Sequence, residues 1–150
     1  MDLILWRNAE AEEGAHDMDR RLTAKGRRHA ERVAAWLNQR LPARFTAFAS
    51  PAVRARQTAE ALGIPLKIEH GLAPGASVQH ILEIAGWPKG RGPVIVVGHQ
   101  PDLGAVLAAL LSEGRGHWTV KKGGVWWLTN RVRNDEAQVV VRAVATPDLL

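Results

Sequence analysis

The sequence contains no cysteine among its 150 residues, and this absence excludes several kinds of chemistry. Without cysteine there is no disulfide framework, no thiolate metal site and no cysteine nucleophile. The chain also lacks any stretch approaching the ~18 consecutive apolar residues that a membrane span needs. Its N-terminus has no basic segment followed by a long apolar run, so we expect no signal peptide. Together these absences favour a cytoplasmic protein without a membrane partner.

The length predicts a single domain that spans residues 1–150 and buries roughly 68–70% of the surface of the unfolded chain. Hydrophobic residues make up 46% of the chain and charged residues 23%, which is ordinary for a globular protein. Nothing in the composition indicates an oligomeric state.

The net charge of +5 arises from 20 lysines and arginines against 15 aspartates and glutamates. A basic balance favours anionic partners such as phosphorylated substrates, acidic proteins or nucleic acid. The densest basic cluster, between Arg20 and Arg32, includes helix positions and the acidic Glu31, which is typical of a solvated helix face. We therefore expect no nucleic-acid partner.

The first apolar run, Leu3 to Trp6, predicts a buried strand that ends at Arg7 and Asn8. Ligands of open α/β sheets bind at the carboxyl ends of the strands. Arg7 can bind a phosphate through two hydrogen bonds, or it can form an ion pair with a carboxylate such as Glu10 or Glu12. This stretch alone leaves both interpretations open.

A second strand is predicted from Phe45 to Ala49, and it stops at Ser50 and Pro51. A helix follows, with Pro51 in its first turn and Gly63 at its end. Arg54 would lie one turn into this helix, where unpaired backbone N–H groups and a guanidinium could meet a phosphate together. A surface salt bridge is the alternative role of Arg54.

A third strand is predicted from the β-branched run Val94 to Val97, followed by Gly98, His99 and Gln100. Pro101 opens another helix, so His99 lies between the end of a strand and the start of a helix. That position favours a functional histidine over a structural one.

The remaining elements complete an α/β prediction. It is a three-layer sandwich with a mainly parallel central sheet, helices on both faces and an antiparallel pair near the C-terminus. The elements are a helix capped by Thr23 and running to about Gln39, a short edge strand from Leu66 to Glu69, a helix from Ala76 to Ala85, a loop from Gly86 to Pro93, and strands Val125–Leu128 and Gln138–Val144 joined at Asn134 and Asp135.

Four segments resemble motifs of the histidine phosphatase superfamily, and of its SixA-type phosphohistidine phosphatases in particular. They are Arg7-Asn8-Ala9-Glu10 at the end of the first strand, DMDRRLTAKG from Asp17, SPAVRARQTAEAL from Ser50 and VIVVGHQPDLG from Val94. They occur in the family's order over the first 110 residues. The short chain has no room for a large cap insertion, which favours the SixA-like branch over the phosphoglycerate mutases.

The resemblance implies a phosphate pocket of Arg7, Arg54 and His99 around a histidine nucleophile. The phosphoenzyme that forms there would be hydrolysed by water. The guanidiniums would neutralise the phosphoryl oxygens, and a carboxylate would serve as acid and then base. Asp17 is the first candidate for that carboxylate, and Glu10 is the weaker one. The implied substrate is a phosphohistidine in a signalling protein or a small phosphate ester, with no cofactor.

Asn8 stands where the family has its nucleophilic histidine. A carboxamide nitrogen has a delocalised lone pair and cannot accept a phosphoryl group. Because loss of a nucleophile costs about 10⁶ in kcat in a well-studied protease, we expect a nearly inactive chain. Two explanations stay open at this point: a histidine replaced in an otherwise active phosphatase, or a natural pseudophosphatase that binds phosphorylated partners.

Substrate specificity would lie in three loops, Ala11 to Asp19, Gly71 to Ser77 and Gly86 to Gly92. The remaining histidines show no metal-ligand spacing, so no metal site is expected.

Overall fold

The computed structural model describes all residues from Met1 to Leu150. Its strands are Asp2–Arg7 (β1), Thr46–Ala49 (β2), Lys67–Ile68 (β3), Val94–Gly98 (β4), Val125–Arg133 (β5) and Glu136–Ala145 (β6). Its helices are Ala24–Asn38 (α1), Val53–Glu60 (α2), Val78–Ala85 (α3) and Asp102–Leu111 (α4), with short 3₁₀ turns at Asp17–Asp19, His70–Leu72 and Pro147–Leu149. None of the helices has the length and hydropathy to cross a membrane.

The six strands form one sheet in the order β3-β2-β4-β1-β5-β6. Strands β3, β2, β4 and β1 are parallel, whereas β5 runs antiparallel to both β1 and β6. This arrangement confirms the predicted α/β fold with a mainly parallel sheet and an antiparallel C-terminal pair. The register pairs Arg7 with Gly98 and Ala49 with Val97, so β1, β2 and β4 end at the same edge.

Helices cover both faces of the sheet because the side chains of the central strands alternate between two cores. Ile4 and Trp6 of β1 belong to a core that also contains residues of α1 and α2. Leu3 and Leu5 belong to the opposite core, with residues of α3 and α4. The first strand is therefore apolar throughout because both of its faces are buried.

The start of α1 is tied to the segment that follows β1. Thr23 caps the helix, with its side chain accepting a hydrogen bond from the Gly26 backbone N–H at 2.9 Å. Gly26 packs so closely that a Cβ at this position would collide with the Glu10 carbonyl. The helix thus fixes the backbone immediately after Arg7 and Asn8.

Two helices begin elsewhere than the sequence predicted. Ala52 is the N-cap of α2, so Pro51 precedes the helix and Arg54 lies in the first turn instead of one turn inside. The third helix starts at Val78, two residues after the predicted Ala76, because Ser77 caps it and accepts a hydrogen bond from His80 N.

The C-terminal hairpin is longer than predicted. Asn134 and Asp135 adopt positive φ values of 52° and 62°, as the two central residues of a type I′ turn do. Because this tight turn keeps the strands paired up to its own ends, Arg133 still pairs with Glu136. The residues next to the turn, from Arg131 to Ala137, are exposed and mostly polar, so they carry little hydrophobic signal.

Candidate functional site

A cavity of about 160 Å³ lies at the edge where β1, β2 and β4 end. Four of the predicted site residues, Arg7, Asn8, Arg54 and His99, line it together. The three strand ends meet there because their register is shared, and Asn8 N donates to Gly98 O at 3.0 Å across that edge. The fold therefore brings together side chains that are as far as 92 residues apart in numbering, from Arg7 to His99.

His99 is buried at the back of this cavity and is held through both ring nitrogens. Its Nδ1 lies 3.2 Å from Asn8 Oδ1, and its Nε2 lies 2.7 Å from Ser50 Oγ. Ser50 Oγ also accepts a hydrogen bond from Ala52 N at 3.2 Å, and its hydroxyl hydrogen is free to point to Nε2. Asn8 Nδ2 donates to Ala9 O, which turns the Asn8 oxygen toward the ring. This pattern assigns the proton of a neutral imidazole to Nδ1.

Burial lowers the pKa of His99 from 6.5 to about 4. The positive charges of Arg54, whose Nη2 lies 3.5 Å from Nδ1, and of Arg7 push the pKa in the same direction, while Asp17 opposes them. At neutral pH the imidazole is therefore uncharged and offers its Nδ1–H as a donor.

Arg54 is a buried guanidinium in the first turn of α2. Its Nη1 donates to the Asp17 carbonyl at 2.7 Å, and its Nη2 donates to Asp17 Oδ2 at 3.1 Å. The helix itself is held against the end of β1 by Thr58, whose hydroxyl donates to Arg54 O and accepts from Ala9 N. Arg54 and the loop after β1 are thus positioned as one unit.

Asp17 is hydrogen-bonded to Arg54, which lines the cavity, but Asp17 itself is not a lining residue. Its carboxylate pairs with Arg54 and with Arg20, the latter at 3.0 Å, and its side chain is 58% exposed. Slight burial works to raise the pKa of Asp17, but the charges and hydrogen bonds of Arg54 and Arg20 outweigh it and hold the pKa below its ordinary value. Asp17 is therefore ionised at neutral pH.

Glu10, the weaker acid–base candidate, faces away from the cavity. Its Oε2 accepts a hydrogen bond from the Thr23 hydroxyl at 2.8 Å, at the start of α1. Of the two carboxylates predicted for this role, the structure brings Asp17 alone next to Arg54 of the cavity wall.

Arg7 forms an ion pair with neither Glu10 nor Glu12, the partners considered from the sequence. Its Nη1 donates to Val120 O at 2.9 Å, which fixes the guanidinium while the side chain stays half-buried. Burial lowers the pKa of Arg7 from its ordinary value, although an arginine stays protonated in proteins. Arg7 is consequently a fixed positive charge on the cavity wall.

Four polar residues of this site were given no role from the sequence: Ser50, Arg20, Gln100 and Lys122. The first three lie within the quoted motifs and could have been found from them. Lys122 leads into β5, which runs antiparallel to β1, so the amino end of β5 lies at the site. The rule that ligands bind at the carboxyl ends of strands does not predict a residue at the amino end of an antiparallel strand.

Two of the three predicted specificity loops reach the cavity, through Ala11 and Pro74. The loop of Pro74 is anchored by buried Asp102, whose Oδ2 accepts hydrogen bonds from Gly75 N and Ala76 N. The third loop, residues 86–92, contributes no lining residue because it precedes β4 and lies at the opposite edge of the sheet.

A larger cavity of about 560 Å³ lies between α4 and the segment 114–119. It shares Gln100 with the first cavity, but no arginine or lysine lines it. It therefore lacks the charge that an anion site requires. No cluster of three or more histidine, aspartate or glutamate side chains is placed to hold a metal ion.

Comparison with known proteins identifies relatives across most of the chain. The model of the histidine phosphatase superfamily (branch 1) matches residues 3–75. An uncharacterized protein of Picosynechococcus is 36% identical over 137 residues, which cover 83% of this chain and 82% of that protein. An uncharacterized protein of Mycobacterium tuberculosis is 33% identical over 105 residues, 67% of this chain and 65% of its own length.

Solved structures extend the similarity to the whole fold. A Nakamurella multipartitia protein assigned as a phosphohistidine phosphatase SixA has a TM-score of 0.77 and 29% identity over 97% of this chain and 95% of its own. The protein histidine phosphatase SixA complexed with tungstate has a TM-score of 0.78 and 23% identity over 99% of both chains, a likeness of fold alone. With these matches across the sheet and its helices, the chain belongs to the histidine phosphatase superfamily and has a SixA-like fold.

Proposed function

We propose that this cavity binds the phosphoryl group of a phosphohistidine side chain or of a small phosphate ester. The observation that carries the proposal is the convergence of Arg7, Arg54 and a neutral His99 on one cavity at the ends of three parallel strands. In this proposal residues 1–150 act as one cytoplasmic domain whose partner is a phosphorylated protein or ester.

Each residue has a role that follows from its charge and its donors. The guanidiniums of Arg7 and Arg54 neutralise the phosphoryl oxygens, over which negative charge is spread in the transition state. In the complex, the Nδ1–H of His99 is shared between Asn8 Oδ1, which lies 3.2 Å from Nδ1, and a phosphoryl oxygen. A nucleophile at position 8 would attack phosphorus in line with the leaving group.

Asn8 cannot act as this nucleophile. Its amide nitrogen has no available lone pair and already donates to Ala9 O, so no phosphoenzyme can form on it. We therefore infer that the chain binds its substrate's phosphoryl group but turns it over at least about 10⁴-fold more slowly than a histidine at the same position would allow.

The ionisation of Asp17 favours phosphohistidine over alkyl phosphates as the substrate class. An alkoxide leaving group needs a proton from a general acid, whereas the imidazole of phosphohistidine leaves with little help. Arg54 and Arg20 keep Asp17 deprotonated, which suits a carboxylate that activates the hydrolytic water.

The test compares this chain with its Asn8→His and Asn8→Gln variants, using p-nitrophenyl phosphate and a phosphohistidine-bearing protein. We expect turnover by Asn8→His alone, because glutamine also lacks a nucleophilic lone pair. Activity of the unmodified chain equal to that of Asn8→His would contradict the proposal.

A second candidate function is a non-catalytic module that binds phosphorylated partners. It is favoured by the fit of Asn8, which is 9% exposed and makes hydrogen bonds through both its oxygen and its nitrogen. In this case Asn8→His would hydrolyse neither substrate, while phosphate analogues would bind the unmodified chain.

A further inference from the structure

A third cavity, of about 310 Å³, lies on the other side of Arg7 from the first. Arg7 and Lys122 line both this cavity and the phosphate cavity described above. We call this third cavity the basic cleft. Its floor and walls come from the end of β1, the start of α1, the lead-in to β5 and the C-terminal 3₁₀ turn, so four separate segments form it.

The basic cleft carries more positive than negative charge. Its cations are Arg7, Lys25, Lys121 and Lys122, and its two carboxylates are Glu10 and Asp148, which leaves an excess of two positive charges. His29 also lines it, but burial and the nearby Lys25 and Arg32 lower the pKa of His29, so the imidazole adds no charge at neutral pH. A cavity with this balance attracts anions.

The cations and carboxylates of the cleft differ in how far they are already paired. Asp148 is bound to Lys121 at 3.1 Å, and Glu10 accepts a hydrogen bond from Thr23. In contrast, Arg7, Lys25 and Lys122 make no ion pair. Three unpaired cations thus surround one opening, and one of them is the guanidinium that also faces the phosphate cavity.

We propose that the basic cleft is a second anion-binding subsite, which holds a carboxylate or a second phosphate of a small ligand whose first phosphate lies in the adjoining cavity. The inference rests on the proposed function, since the first phosphate defines where the ligand begins. Arg7 lies between the two anionic groups and contacts both, so it stabilises them together.

This arrangement selects among phosphate-containing ligands. A simple alkyl monophosphate uses the first cavity alone, so Lys25 stays unpaired and Lys121 stays paired with Asp148 alone. A ligand with two anionic groups gains the attraction of these lysines as well. Because exposed ion pairs are each worth ~0.2–1 kcal/mol, two of them give an expected gain in affinity of about twofold to thirtyfold.

The test measures dissociation constants by calorimetry on the unmodified chain. The probes are the bisphosphates of ethanediol, butanediol and hexanediol, each compared with the alkyl monophosphate of the same length. We expect at least one bisphosphate to bind more tightly than its monophosphate, and the difference to shrink as salt is raised, because exposed charges are screened.

Charge variants locate the effect in the cleft. Lys25→Gln should weaken bisphosphate binding by about two- to fivefold, and Asp148→Asn should strengthen it by a similar factor because it frees Lys121. Neither variant should change monophosphate binding. Lys89→Gln, in the loop at the opposite edge of the sheet, is the matched control and should change neither.

Three results would overturn the inference. Equal affinity for bisphosphates and monophosphates shows that the cleft is not a subsite, while the proposed function stands. Equal weakening of both ligands by Lys25→Gln shows a general charge effect instead of a second site. If no monophosphate or bisphosphate binds at all, the proposed function fails and the inference fails with it.

Discussion

The low pKa of His99 makes the stability of the fold depend on pH in a definite direction. An unfolded histidine titrates near its ordinary value of 6.5, whereas folded His99 titrates at about 4. Between these values the unfolded chain binds a proton that the folded chain does not, so stability falls as the pH falls. For this one group, linkage gives a loss of about 2 kcal/mol between pH 7.5 and pH 5, and about 3 kcal/mol at pH 4.

Urea unfolding at a series of pH values measures this loss. Other groups also destabilise the fold in acid, because the pKa values of Asp2, Asp17 and Asp148 are lowered in the folded chain. The comparison is therefore made with His99→Gln at each pH, and the stability gap between the two chains should change by about 2 kcal/mol in favour of the variant by pH 5. A gap that stays constant, or an NMR titration of His99 near 6.5, would refute the reasoning.

Three further predictions concern Arg54, Asp17 and Gly26. Arg54→Gln should weaken tungstate binding by about tenfold to a hundredfold, because a buried charge-assisted hydrogen bond is worth ~1.5–3 kcal/mol, while exposed Arg115→Gln should leave binding unchanged in the same titration. Asp17→Asn should tighten tungstate binding by about two- to fivefold, because it removes a carboxylate that competes for the Arg54 guanidinium; weaker binding would contradict that competition. Gly26→Ala should destabilise the fold by about 1–3 kcal/mol in urea unfolding, because its Cβ would collide with backbone, whereas Gly14→Ala meets only a flexible side chain and should be nearly neutral.

The sequence was sufficient to predict the layers of the fold and the edge of the sheet at which the candidate site residues lie. Leu3 to Trp6 and Val94 to Val97 are apolar without alternation, which only strands buried on both faces require. Each run ends abruptly in polar residues, so Asn8 and His99 could be placed at strand ends. Asn8 and His99 lie close together because β1 and β4 are parallel neighbours in the sheet.

Contacts that depend on strand direction or on side-chain competition could not be predicted in this way. Lys122 reaches the site because β5 is antiparallel, a fact that the apolar pattern of β5 does not encode. The pairing of Arg54 with Asp17 and the protonation state of His99 depend on burial and on distances of a few ångströms. The hairpin extended past its hydrophobic part because backbone pairing, not side-chain burial, holds its outer residues.

The central claim is that Arg7, Arg54 and His99 form one phosphate-binding site, and a crystal structure of the unmodified chain grown with tungstate tests it most directly. The account predicts the ion in the cavity at the ends of β1, β2 and β4, within hydrogen-bond distance of both guanidiniums and of His99 Nδ1. Tungstate bound only at other basic surfaces, with this cavity filled by water, would contradict it.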